Sequence, residues 1–383
     1  MRISCRAEEM TPFLVMDVLE AAKEMEARGE EVVHLEIGEP DFDAPEPVKR
    51  AAIRAMDDGH THYTHSQGIP ELRRAIADTY LERYGAVVDP ARILVTSGTS
   101  PAMLLLFSIL LEAGDEVILS DPCYACYANF VRHAEGRARF VPVREEDGFQ
   151  YRPEDIRAAI TDRTRAVMIN SPANPTGTIL SSERMRGIAE LGPPVISDEI
   201  YHGLSYVEPD HTILEFTGNA FVLNGFSKLY AMTGWRLGWL IAPEEYMDCL
   251  RKTAANLFIC AGSVAQWAGL AALTECADDV ERMRAVYDER RRYMIPRLRE
   301  MGFGVASEPT GAFYVLADAS RFTADSYAFA FEVLRGAGVG CTPGVDFGPG
   351  GEGYIRFSYA NSLENIRRGL DRLEAWLAQR RTD

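Results

Sequence analysis

Between residues 90 and 245 short apolar runs alternate with stretches of helical spacing. The runs are RILVTS (92–97), DEVILS (115–120), ARFVPV (138–143), RAVMIN (165–170), PPVISD (193–198), AFVLNG (220–225) and LGWLIA (237–242). Apolar residues at successive positions mark strands covered on both faces, and helices between them give a mainly parallel sheet of about seven strands. Upstream, TPFLVMDVLEAAKEMEARG (11–29) has the period of an amphipathic helix. Thr11 is placed to cap it, Pro12 suits its first position, and Gly29 suits its end. Beyond 262 the spacing turns helical, including DDVERMRAVYDERRRYMIPRLREMG (278–302), long enough to bridge two domains. GAFYVLAD, GYIRFSYA and a C-terminal helix predict a smaller α+β domain.

The longest apolar stretch, PAMLLLFSILLEAG (101–114), predicts a buried helix. It falls short of the ~18–20 residues that a membrane span requires. A chain of 383 residues exceeds the usual size of one core, so two domains are expected. The net charge of −17 argues against nucleic acid or an anionic membrane as partner, and leaves a small anionic ligand open. Seven irregularly spaced cysteines suit a reducing compartment, and MRISCRAEEM (1–10) lacks the apolar core of a signal peptide. A cytoplasmic protein is expected.

In parallel sheets ligands gather beyond the carboxyl ends of the strands. The polar groups there are Ser97 to Ser100, Asn170 to Gly177, Asp198 and Lys228. Lysine is rare in this chain: only Lys23, Lys49, Lys228 and Lys252 are present among 40 basic residues. Lys228 alone sits among glycine and apolar residues, with Arg236 downstream. Desolvation and a nearby cation lower a lysine pKa toward the nucleophilic range, although such a lysine also serves simply to snorkel from a buried strand end.

VTSGTSPAMLLL (95–106) reads as strand, glycine turn and helix. That junction is either an anion site, with Thr99 and Ser100 as added donors, or a plain helix cap. Asp198 is either a cap or a ligand contact, with the Tyr201 hydroxyl close behind it in sequence. Asn174 is a turn former before proline or an amide facing the same crevice. GPGGEG (348–353) precedes a strand-like run, which predicts a loop and not a dinucleotide site. HTHYTH (60–65) has no acidic or cysteine partner at ligand spacing, so no metal is expected. CYAC (123–126) lacks the second pair of a zinc site.

A desolvated amine, an anion cradle, a strand-end carboxylate and phenol or amide donors together describe a site for pyridoxal phosphate. From LEIGEPDFDAP (35–45) to IRFSYANS (355–362) the chain resembles the class I/II aminotransferases of the fold-type-I pyridoxal-phosphate superfamily, near the aspartate aminotransferase branch. The resemblance implies an α/β large domain over 44–280 and a small α+β domain from 1–43 and 281–383. In GFSKLYAMTGWRLG (225–238) it makes Lys228 the Schiff-base lysine and Arg236 a phosphate ligand, with Gly98, Thr99, Ser100 and Ser227 completing the cradle. It assigns Asp198 to the pyridine nitrogen, Tyr201 and Asn174 to the phenolic oxygen, and Tyr124 to the ring face. Arg356 would hold the substrate carboxylate and Gly38 would let it approach the backbone. Tyr63 would reach the neighbouring site of a homodimer.

The implied reaction moves an amino group between an L-amino acid, of aspartate/glutamate or alanine type, and a 2-oxo acid by a ping-pong route. Gly225 stands where some members carry a serine, and no basic residue is placed for a dicarboxylate side chain. A C–S β-lyase on the same fold would keep Lys228, Asp198 and Arg356. A ligand-sensing regulator and a NAD-dependent enzyme are the outsiders, disfavoured by the acidic charge and the misplaced glycine motif.

Overall fold

A computed structural model describes residues 3–380, so the ends of the expected small domain, 1–2 and 381–383, lie outside the described residues. The strands run in chain order as β1 (Val33–His34), β2 (Ile93–Thr96), β3 (Glu116–Asp121), β4 (Arg137–Pro142), β5 (Thr164–Asn170), β6 (Val195–Asp198), β7 (Ala220–Gly225), β8 (Gly238–Ile241), β9 (Tyr314–Asp318), β10 (Val339–Gly340), β11 (Thr342–Pro343) and β12 (Tyr354–Ser358). The seven apolar runs become β2 to β8, one sheet in the order β2-β8-β7-β6-β5-β3-β4. Only β8 opposes its neighbours. Side chains alternate between two cores: Val167, Ile169 and Val222 enter one, while Ala166, Met168, Phe221 and Leu223 enter the other. That double burial is why the strands read as unbroken apolar runs.

The buried helix is Thr99–Leu110 and the long helix is Ala277–Met301, close to the expected bounds. The smaller part has β9, β11 and β12 as an antiparallel sheet, while β1 pairs with β10 across about three hundred residues of chain. GPGGEG holds one short helical turn, Pro349–Gly351, and runs into β12, as a loop would. His60 stacks on Trp267, and Cys123 and Cys126 are not joined in a disulfide.

The first helix departs from its expected start. It spans Leu14–Ala27, and Thr11 does not cap it. The Thr11 hydroxyl and N–H both donate to Asn129 instead, at 3.1 and 3.2 Å. The Asp346 carboxylate takes the cap role, accepting from the N–H groups of Leu14 (2.7 Å) and Val15 (3.3 Å). A carboxylate there satisfies orphan donors and complements the helix dipole, and no local motif encodes it.

Candidate active site

The carboxyl ends of β2, β5, β6 and β7 share one edge of the sheet, and a cavity of about 450 Å³ opens above it. Asn170 and Asp198 end adjacent strands in register. Asp198 is 4% exposed; its carboxylate accepts from the Tyr127 hydroxyl at 2.7 Å and the Ile200 N–H at 3.2 Å. Burial raises its pKa to about 6, and these two hydrogen bonds hold back a larger rise.

Lys228 follows β7, and its amine donates to the Gly38 carbonyl at 2.6 Å. Burial lowers its pKa to about 8; Arg356 and Arg236 push the same way, against Glu39 and Asp198. Near neutral pH the unprotonated amine is therefore more accessible than for a free lysine. Gly225, three residues earlier, faces away from this chemistry. A Cβ there would meet the Gly238 Cα and the Leu237 carbonyl oxygen at 2.9 Å, so β8 backbone fills the place a serine would need.

Gly98 precedes the Thr99–Leu110 helix with φ +102°, turning the chain so that the helix N-terminus points into the cavity. A Cβ on Gly98 would lie 2.8 Å from Arg236 Nη2, so glycine is what lets the guanidinium close over the turn. Arg236 is itself left-handed at φ +53°, and its Nη1 donates to the Thr233 carbonyl at 2.9 Å. Thr99, Ser100 and Ser227 line the same end of the cavity. Helix N–H groups, hydroxyls and a permanent cation form a donor set suited to a phosphate. With Lys228 and Asp198 spaced beyond it, the residues present fit pyridoxal phosphate.

Arg356, on β12, is 3% exposed. Its guanidinium donates to Asn174 Oδ1 at 2.8 Å, the Glu36 carbonyl at 2.6 Å and the Thr342 hydroxyl at 3.1 Å, while Nε has no partner. It stacks 4.4 Å from the Tyr314 ring centroid. Asn174 is held in turn by its N–H on Asn170 Oδ1 at 2.8 Å. Tyr201 and Tyr314 share a hydrogen bond of 2.8 Å between their hydroxyls, and burial pushes the Tyr201 pKa well up, keeping it a neutral donor. Tyr124 lines the cavity edge-on to Phe13 and Tyr127.

Thus all the site residues expected from sequence converge except Tyr63, which lies outside the cavity at 80% exposure. Gly38 has a second reason to be glycine: a Cβ would fall 2.5 Å from the Tyr314 hydroxyl. Sequence reasoning missed Tyr127, Tyr314 and the carbonyl of Glu36. Tyr127 stands one helical turn beyond Tyr124 in CYACY, a spacing that offered a signal; Tyr314 gave none within its apolar strand. A larger depression of about 870 Å³ lies between Arg6, Arg132 and Asp346, but gathers no such constellation.

Residues 30–373 match the family model for aminotransferase class I and II. The chain is 39% identical over 379 residues to the (5-formylfuran-3-yl)methyl phosphate transaminase of Methanocaldococcus jannaschii, covering 98% of this chain and 99% of that one. It is 39% identical to the aspartate aminotransferase of Pyrococcus horikoshii, over 94% of this chain and 93% of that protein. The Thermus thermophilus aspartate aminotransferase solved with maleate superposes with a TM-score of 0.94 at 38% identity, covering 98% of this chain and 100% of that one.

Proposed function

The chain belongs to the class I and II aminotransferases, pyridoxal-phosphate-dependent transferases, and from that premise we propose that it exchanges an amino group between an L-amino acid and a 2-oxo acid in two ping-pong half-reactions. The observation that carries this reading is Lys228: an amine with its pKa lowered to about 8, facing both a buried carboxylate and a buried guanidinium. The bound cofactor supplies an electron sink and a carrier for the amino group.

Each residue then has a task. Gly98, Thr99, Ser100, Ser227 and Arg236 would hold the phosphate. Asp198 would keep a proton on the pyridine nitrogen, with the Tyr127 hydroxyl favouring its ionised form. Tyr201 and Asn174 would serve as donors to the phenolic oxygen, and Tyr124 would pack on the ring. Arg356 forks onto the substrate α-carboxylate, for which its planar guanidinium is suited. Lys228 would be the amine that anchors the cofactor, and its free base would accept and return a proton at the substrate Cα.

The division into 44–280 and the two flanking segments places Arg356 and Lys228 on separate units, so substrate binding would draw the two together. A homodimer is supported by Tyr63 and by Leu257, Phe258 and Ile259, an exposed apolar group; the Thr64 N–H on Cys260 Sγ (3.4 Å) ties the two segments together. No helix among the described residues is long and apolar enough to cross a membrane. The seven irregularly spaced cysteines, none of them in a disulfide among the described residues, support a reducing, cytoplasmic setting.

The test is a panel of amino donors and 2-oxo acids followed by initial rates. One-for-one exchange with parallel double-reciprocal lines is expected. Ammonia and pyruvate released without an acceptor would instead make it a C–S β-lyase.

A further inference from the structure

Resting on the aminotransferase reading, we propose that the cavity selects amino acids and 2-oxo acids with uncharged, apolar side chains over dicarboxylates such as aspartate. Among the residues lining it only Lys228, Arg236 and Arg356 are cationic. Arg356 is required for the α-carboxylate, Arg236 closes over the Gly98 turn, and Lys228 acts by losing its proton. None is left for a distal carboxylate.

The surface left for a side chain is Phe13, Val15, Met16 and Leu19, with Ile37 beside them. The first four sit at the start of the Leu14–Ala27 helix, which Asp346 pins in place through Leu14 and Val15. The acid beside this wall is Glu39, which accepts a hydrogen bond from Thr233. A second carboxylate on the wall would lose water, gain no cation and face a like charge. An apolar side chain would cover methyl and ring carbons instead, and the hydrophobic effect favours that exchange.

The stretches carrying Tyr63 and Leu257–Ile259, residues 55–72 and 253–281, contain no lysine or arginine, and the imidazoles of His60, His62 and His65 are the basic groups there. The dimer proposed above therefore brings no permanent cation from those segments.

Two measurements decide it. Binding of unreactive acids, followed by calorimetry on cofactor-loaded protein, should favour 4-methylpentanoate over succinate by at least about tenfold. Values of kcat/KM for leucine and methionine should exceed those for aspartate and glutamate by a similar factor. Succinate binding as tightly as 4-methylpentanoate, or aspartate turned over as well as leucine, would overturn the proposal. Failure of every donor while 4-methylpentanoate still binds better would count against the aminotransferase reading and leave the selectivity standing. Met16 is 44% exposed, so Met16→Arg should fold normally. It should raise kcat/KM for aspartate and tighten succinate by about tenfold or more. No gain in either would place the side chain somewhere other than this wall.

Discussion

The two sides of the cavity are built in different ways. The cofactor side is a row of neighbouring strand ends: Asn170 and Asp198 lie in register, and Lys228 follows the next strand. The sheet sets their spacing. The substrate side is assembled across the chain. Arg356 is oriented by Glu36, 320 residues away, by Asn174, 182 away, and by Thr342 on the adjoining strand. Its apolar wall comes from a helix capped by a carboxylate 332 residues distant. One side takes its spacing from the sheet, with Lys228 tied in addition to Gly38, 190 residues away. The other rests on packing between segments far apart in the chain.

That contrast makes graded predictions. Lys228→Ala should act mainly on chemistry, lowering single-turnover rates by at least ~10³-fold, because the amine proposed to anchor the cofactor and move the proton would be gone. The bound cofactor's visible absorbance should change, while far-ultraviolet circular dichroism stays the same. Activity within tenfold of the parent would remove Lys228 from its role.

Arg356→Lys should act on the opposite side. A lysine cannot replace a forked, three-bond anchor, so KM should rise about 10–100-fold with a smaller change in kcat. Cofactor affinity, titrated by fluorescence, should hold. Equal losses in both would erase the division between the two sides.

The smallest effect belongs to Tyr127→Phe. The lost hydroxyl stabilises the ionised Asp198, whose pKa is already raised to about 6 by burial, so the pKa must climb further. The acid limb of cofactor affinity should move up by about one pH unit, with little change at pH 8 and above. An unmoved limb would mean that Asp198 does not govern cofactor binding through its charge.

The same contrast explains what could be read in advance. Strands and the buried helix were legible because burial on both faces leaves continuous apolar runs, and because chemistry-bearing residues stand at their ends. Lys228 was legible because a lysine in an apolar setting is a local anomaly. Thr11 misled because hydroxyl capping is a local rule, and the cap came instead from Asp346, beyond the reach of any local rule. Gly225 carried no visible reason in sequence, and Gly38 carried only the one the resemblance implied. The β8 backbone supplies the first and the Tyr314 hydroxyl adds a second for Gly38, both brought close by the fold.

The order of apolar runs and breakers was enough to predict about seven strands, mainly parallel, and the edge on which ligands gather; the roles of the amine, acid and phosphate donors came from the family resemblance. Tertiary structure alone decided that the Tyr127 hydroxyl donates to Asp198, that Tyr314 links Tyr201 to Arg356, and that Phe13, Val15, Met16 and Leu19 line the same cavity as Lys228 and Arg356. The physical reason is range. The apolar period that marks a strand or a buried helix is written within a few residues, whereas pKa values, guanidinium orientation and the shape of a side-chain pocket depend on groups that become neighbours only when the whole chain has packed.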